Sequence, residues 1–523
     1  MSMFIENPCE RIGIDCPPPA VRPTKGTLVL AASILGSGMA LLDGTAVNVI
    51  LPVLQRELHA NAQFVQWVVE GYALFLSALI LVGGALGDVY GRRKMFVAGT
   101  IVFAGASIAC ALARTMEQLV IARCIQGVGA ALLVPESLAL ISAQFEPAQR
   151  GKAIGTWAAF SAISGAIGPV LGGVIAQHFS WRWVFLVNVP IAALVIYISL
   201  RYIHESRDED AGQHIDFVGA ALATLGLGAL VYSLIELQSG TNQTINLAIG
   251  VAGVIVLVLF VVYEKRSPSP MMPLKFFTYP GFAGANVYTF LLYAGLGGSL
   301  FFVPFDLINV QHYTPTEAGA AMLPMTLIMF FFSRYSGALQ AKLGAGPMLV
   351  GGAIIAALGF ALFALAGQGR SYWLSFFPAS VVLGIGAVTF VAPLTATVMN
   401  SLETKHAGVA SGVNNAIARA AGLIAVAALG LVLSAAFYRS YDARIARATV
   451  APATRAKLAA DRTRLLTGYV PANIAASDQP VVRSIVDASF VNAFAWVMFS
   501  SAGLALAAAG IAKFVFRSSQ ASA

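Results

Sequence analysis

Gly84-Ala85-Leu86-Gly87-Asp88-Val89-Tyr90-Gly91-Arg92-Arg93-Lys94 sets one carboxylate, three cations and three glycines between two strongly apolar runs. Glycines permit a tight turn and close approach of helices. The cations mark the cytoplasmic side of a membrane, and Asp88 is placed to meet either them or the positive end of a neighbouring helix. A loop that only fixed topology would need the cations alone.

Working outward, the chain is 58% apolar and 11% charged, with a mean hydropathy of +0.78. A soluble domain carries about 25% charged residues, so the fold class is an all-α polytopic membrane protein. Bilayer-flanking Lys and Arg explain the net charge of +8. No basic stripe is interleaved with aromatics, so nucleic acid is not a partner. Cys9, Cys16, Cys110 and Cys124 are scattered, which indicates neither a metal site nor a disulfide framework. The first 25 or so residues carry Pro17-Pro18-Pro19 and lack signal-peptide features, which predicts a loose cytoplasmic tail.

A span needs about 20 mainly apolar residues. Fourteen segments qualify, with cores at 28–50, 64–86, 95–113, 117–140, 153–177, 183–201, 216–236, 245–263, 282–304, 318–333, 346–366, 372–393, 407–435 and 488–512. Assigned by loop, eighteen Lys and Arg fall on one side and only Arg56, Arg114, Arg182 and Arg370 in the short loops of the other. That asymmetry predicts both termini in the cytoplasm. The outer loop 436–487 departs from the rule with eight cations, and its Tyr441–Leu466 stretch is expected to lie as an amphipathic helix on the outer face.

The hinge has a reduced echo at Gly337-Ala338-Leu339-Gln340-Ala341-Lys342-Leu343-Gly344. A repeated hinge implies a repeated half, a common transporter plan. The expected units are a tail 1–27, a six-helix bundle 28–201, a linker 202–281 with two extra spans, a second six-helix bundle 282–512 containing the loop 436–487, and a tail 513–523.

Ionisable groups inside spans are costly and point to function; here they are Asp43, Glu70, Arg123, Glu136 and Arg419. Counted at 1.5 Å per residue, Asp43, Glu70 and Arg123 share a depth of roughly 10 Å below the outer surface. That allows one cluster, in which an Arg holds two carboxylates and protonation of one alters the balance. Asp43 and Arg123 equally fit a fixed buried ion pair. Glu136 follows Pro135 about 9 Å from the cytoplasm, as an inner proton station or part of a cation site. Gly165, Gly168, Pro169, Gly172 and Gly173 in the fifth span combine close packing with a bend. Tyr288 and Tyr293 are the cavity candidates among the aromatics. Asn48, Asn286, Asn414 and Asn415 fit interhelical hydrogen bonding or ligand contact.

The hinge resembles the signature loop of the major facilitator superfamily, GxLxDxxGRR, at Gly84, Leu86, Asp88, Gly91, Arg92 and Arg93. Leu119 to Ala131, with Arg123, Gln126, Gly127 and Gly129, is similar to the family's fourth-helix motif, and Gly165 to Gly173 resembles its fifth-helix antiporter motif, GxxxGPxxGG. Leu41 to Pro52, Trp181 to Pro190 and Ser411 to Gly422 look like the fourteen-helix drug:proton antiporter branch. The resemblance covers residues 28 to about 512.

It implies export of amphipathic or cationic drugs and toxic compounds in exchange for protons across the cytoplasmic membrane, by alternation of two bundles. Asp88, Arg92 and Arg93 would latch the outward-facing state, Arg123 would support proton relay, and Asp43 would be a protonation candidate. Glu70 and Glu136 depart from the family pattern, at positions where small or polar residues are usual. The implied partners are a small-molecule substrate, protons and the bilayer, with the chain a monomer; a periplasmic adaptor protein is an open addition. No cofactor or metal is expected. With no His-rich or Cys-rich cluster and no serine elbow, the chain is not read as an enzyme. The competing substrate is an endogenous lipid-like metabolite, amino acid or siderophore, exported by the same mechanism.

Overall fold

The computed structural model describes residues 23–517, except 59, 146, 208–215, 240–241, 269, 370, 403–406, 467–469 and 472. Most of both tails lies outside the described residues, as do Arg370 and Lys405 of the charge count.

The described residues form helices and no strand: α1 Pro23–Glu57, α2 Ala62–Tyr90, α3 Arg92–Leu112, α4 Met116–Gln144, α5 Pro147–His178, α6 Arg182–Leu186, α7 Asn188–Tyr202, α8 Phe217–Glu236, α9 Gln243–Arg266, α10 Pro280–Phe305, α11 Pro315–Ala321, α12 Leu323–Leu343, α13 Ala345–Ala364, α14 Phe376–Asn400, α15 Ala407–Arg447, α16 Pro452–Ala460, α17 Arg462–Leu465 and α18 Gln479–Arg517. Among the described residues, thirteen helical segments are long and apolar enough to cross a membrane. α5, with 32 residues, brings the segments of spanning length to fourteen. In lipid every backbone polar group must be satisfied within the segment, which leaves helices as the solution for such runs.

Polar residues set the ends. Asn61 Oδ1 accepts from the Phe64 N–H at 3.0 Å, Asp216 from the Gly219 N–H at 2.7 Å, and Thr314 with Glu317 makes a capping box before α11. Prolines fall inside α1, α4, α5, α10 and α14, where each removes a backbone bond and bends the helix.

In the first part of the chain α4 packs on α2 and α3, and α1 on α5 and α7; later, α13 packs on α14 and α18, and α10 on α15 and α18. Small residues set the matching contacts. A Cβ on Gly99 of α3 would lie 2.8 Å from the Gly129 carbonyl of α4, and one on Gly386 of α14 2.7 Å from the Ala356 amide of α13. α8 and α9 pair with each other, and α8 touches α2 and α15. Gln238 after α8 donates to Gln66 Oε1 at 2.9 Å. Contacts between the two groups run through α5 with α11 and α2 with α15. They are tightest at the end remote from the hinge, where Gly173 abuts Pro315 and Gly319 abuts Pro169 backbone to backbone.

The loop 436–487 does not hold one amphipathic helix on a membrane face. α15 continues to Arg447, and α16 and α17 fold back so that Leu458, Leu465 and Ile474 are buried beside Phe437 and Phe490. Several of its cations have protein partners: Arg462 is bidentate to Asp442 at 3.0 and 2.8 Å and lies over the Tyr438 ring, and Lys457 donates to the Asn473 carbonyl. Three of the eight, Arg462, Arg464 and Arg483, face carboxylates within 4 Å, which offsets part of the loop's positive charge.

Candidate functional site

At the hinge, α2 ends where Gly91 takes φ +114°, a conformation open to glycine and strained for other residues. Asp88 accepts from Arg92 Nε at 3.0 Å and Nη2 at 2.7 Å, one turn apart. Arg93 Nη1 donates to the Ile203 carbonyl at 3.1 Å, its backbone N–H to Glu205 Oε1 at 3.0 Å, and the Arg92 N–H to the Ser206 carbonyl at 2.9 Å. The described hydrogen bonds and ion pairs of Asp88, Arg92 and Arg93 thus stay within the hinge or reach the strand of chain after α7. Glu205 is a hinge residue that sequence reading missed, since it sits in the stretch 202–281 read as a linker. Gly84 makes an ordinary contact with Pro135.

Glu136 belongs to this hinge and is not in contact with the Asp43 cluster. It is fully buried, its carboxyl packs where a Cβ on Gly87 would stand, and neither oxygen has a hydrogen-bond partner.

Asp43 and Arg123 form a buried ion pair. The carboxylate also accepts from Gln126 Nε2 at 3.0 Å and Asn188 Nδ2 at 2.9 Å, both of which also donate to Ser107 Oγ. Arg123 donates to Gln126 Oε1 at 2.6 Å and the Val68 carbonyl at 2.9 Å, with its guanidinium 4.3 Å from the Tyr72 ring centroid. Five side chains from α1, α3, α4 and α7 therefore complete one network. Asn188 and Ser107 were not singled out in sequence: Asn188 stood only inside the Trp181 to Pro190 resemblance, and Ser107 is a lone hydroxyl in an apolar run.

Glu70 does not join that network. It is 1% exposed, both carboxyl oxygens lack a partner, and it lines a cavity of about 450 Å³. Asn48, Tyr72, Tyr293, Met325, Met329 and Arg419 share this cavity, which draws on α1, α2, α10, α12, α14 and α15. The other cavity candidates lie elsewhere. Asn414 donates to Asn286 Oδ1 at 3.0 Å and Thr289 Oγ1 at 2.7 Å, stitching α15 to α10. Tyr288 is buried and donates to the Leu349 carbonyl of α13 at 2.7 Å. Asn415 is exposed and bonds back to the Ser411 carbonyl.

Along α5, Gly168 and Gly172 face α1 at Thr45 and Ala46, and Gly173 faces α11. Gly165 has open space around it and stands three residues before Gly168, one short of the motif's spacing. Three further buried carboxyls escaped the hydropathy count by falling just beyond the expected cores: Glu264, which accepts from the Met272 N–H at 2.9 Å, Asp306 and Asp487. Asp306 accepts from Gln311 Nε2 at 3.2 Å, and Asp487 lies 3.7 Å from Arg483. Among the described residues no group of His, Cys, Asp and Glu could hold a metal ion.

The sequence profile of the Major Facilitator Superfamily matches residues 33–427. The chain belongs to this superfamily. Within it, the chain is 35% identical over 439 residues to the multidrug resistance protein Stp of Mycobacterium tuberculosis, covering 83% of this chain and 80% of that one. It is 30% identical to the tetracenomycin C resistance and export protein of Streptomyces glaucescens over 93% and 90% of the two chains. Similarity to a puromycin resistance protein of Streptomyces alboniger is 32% over 80% and 84%. Among solved structures, a bacterial homologue of the human lysosomal transporter Spinster, inward-facing and unoccupied, superposes with a TM-score of 0.65 over 95% of this chain and 99% of that one, at 15% identity. The chain is thus a multi-pass membrane protein of a transporter family, not of an enzyme family.

Proposed function

We propose that this protein exports amphipathic or cationic drugs across the cytoplasmic membrane in exchange for protons, with Glu70 as the group that both cargo and proton reach. The observation that carries this reading is Glu70 itself: a buried carboxyl with no donor, opening on a cavity between helices of both halves. A buried charge without a partner is costly, so something that arrives must meet it, either a proton or a cationic substrate. Asp43 has its partners already and acts as the fixed anchor of Arg123. The resistance and export functions in the names of Stp and the tetracenomycin C protein support the cargo class.

In this reading, residues 28–201 and 282–512 are two six-helix bundles with α8 and α9 between them, both termini are cytoplasmic, and the hinge lies on the cytoplasmic side. The contacts of Gly173 with Pro315 and of Gly319 with Pro169 close the outer end, and alternation separates them. Asp88, Arg92, Arg93 and Glu205, with Glu136 under Gly87, hold the hinge in register while the halves rock. Bulk around Met325, Met329 and Tyr293 gives the cavity an adaptable apolar wall.

Inverted membrane vesicles with a fluorescent lipophilic cation in the outer medium test the reading. An imposed acid-inside pH gradient should drive uptake of the cation, and an ionophore that collapses the gradient should stop it. Transport indifferent to the gradient would remove the proton from the mechanism, and a panel in which only one metabolite class moves would replace drugs with that class.

A further inference from the structure

The space between α2, α3 and α4 at the hinge is filled, with Glu136 packed on Gly87. At the echo, Gly337 to Gly344, the matching space between α12, α13 and α14 is an open groove of about 660 Å³. One wall is a face of α12 formed by Ile328, Phe332, Tyr335, Ser336, Leu339 and Lys342. Fourteen residues separate its ends, about 21 Å at 1.5 Å per residue. Half of a hydrocarbon core about 30 Å thick is about 15 Å, so the groove reaches from headgroup level at Lys342 to the middle of the bilayer. Met348 of α13 and Ile385 and Val388 of α14 add apolar wall. Four lining residues carry polar groups: Tyr335, Thr389, whose hydroxyl donates to the Ile385 carbonyl at 2.7 Å, Lys342 and Ser336. Lys342 is exposed at the mouth. Ser336 is 3% exposed and its hydroxyl has no hydrogen-bond partner.

We propose that this groove holds an anionic phospholipid from the leaflet on the hinge side, with its phosphate on Lys342, an ester carbonyl accepting from the Ser336 hydroxyl, and one acyl chain along Phe332 and Ile328. The length, the mainly apolar walls, the unpartnered Ser336 hydroxyl and the Lys342 cation fit that occupant together. A transported cation does not fit, because it would meet Lys342 as a like charge. The groove is also separate from the central cavity. On α12 the cavity uses Met325 and Met329, on α14 Ala387 and Val391, and the two share no described lining residue.

Native mass spectrometry of the full-length protein in mild detergent tests this by titration with phosphatidylglycerol and with phosphatidylcholine of the same acyl chains. Wild type should prefer phosphatidylglycerol about fivefold, the effect of one lysine near an anionic headgroup. Lys342→Gln should erase that preference. Leu339→Trp, which fills the groove, should weaken both lipids several-fold. Lys342 is exposed and Leu339 44% exposed, so both variants should keep the wild-type melting temperature. Equal affinity of wild type for the two lipids, a preference that survives Lys342→Gln, or lipid binding untouched by Leu339→Trp would each overturn the proposal. So would a lipophilic cation, added alone, being lost from the Leu339→Trp variant while phosphatidylglycerol is retained, since that would make the groove a cargo site.

Discussion

Asp43 and Glu70 are buried in the same half and meet the cost of burial in opposite ways. Asp43 accepts hydrogen bonds from Arg123, Gln126 and Asn188, whereas Glu70 accepts none. Removing one partner of a buried ion pair leaves the other charge uncompensated, at about 3–5 kcal/mol. Asp43→Asn should therefore lower the melting temperature of the purified protein by several degrees or abolish its expression. Glu70→Gln leaves no charge stranded, so it should melt at or above wild type while losing gradient-driven transport by at least about tenfold, the scale on which removal of a group required in the mechanism is read. If Glu70→Gln melted early and Asp43→Asn did not, the roles given to these two carboxylates would be exchanged. Sequence put both at one depth, because counting along a helix yields height and not direction around the axis. The side of α2 on which Glu70 emerges is decided by packing.

At the scale of elements, α5 discriminates among glycines that look alike in the chain. A Cβ on Gly172 would lie 2.7 Å from the Ala46 carbonyl, while one on Gly165 meets nothing. Gly172→Val should cost about 1–3 kcal/mol through overpacking, and Gly165→Val should stay within about 0.5 kcal/mol; thermal melts of the two side by side check this. The folded loop between α15 and α18 gives a prediction in pH. Hydrogen bonds from the Thr454 hydroxyl at 2.7 Å and the Ala451 N–H at 3.1 Å hold the Asp478 carboxyl below its ordinary value. A carboxyl whose folded value is depressed stabilises the fold above its unfolded pKa, about 4, and loses that contribution as pH falls through the folded value. Hydrogen exchange in 450–478, corrected for intrinsic rates, should be flat near neutrality and rise in acid. Asp478→Asn should exchange faster already at pH 7 and respond less to acid. This loop was hard to read because a count of cations takes no account of the carboxylates that pair with them. The hinge was easy to read because glycines and charges at fixed spacing dictate a local turn.

Over the whole molecule, hydropathy located the membrane helices, since a run of about 20 apolar residues has few other fates. It could not assign their neighbours: Asn286 and Asn414 are in a stitch between α10 and α15, and Tyr288 donates to α13, while Asn48, Glu70, Tyr293 and Arg419 converge from four helices on one cavity. That convergence draws helices from early and late in the chain to one cavity, where the proposed alternation would act. If cargo and proton compete for Glu70, the purified transporter must release protons when cargo binds, with no gradient and no vesicle. The direct measurement is the pH change of a lightly buffered detergent solution when a lipophilic cation such as tetraphenylphosphonium is added to the protein. Wild type should acidify the solution in proportion to binding and Glu70→Gln should not; equal proton release by the two would contradict the assignment of Glu70 as the shared site.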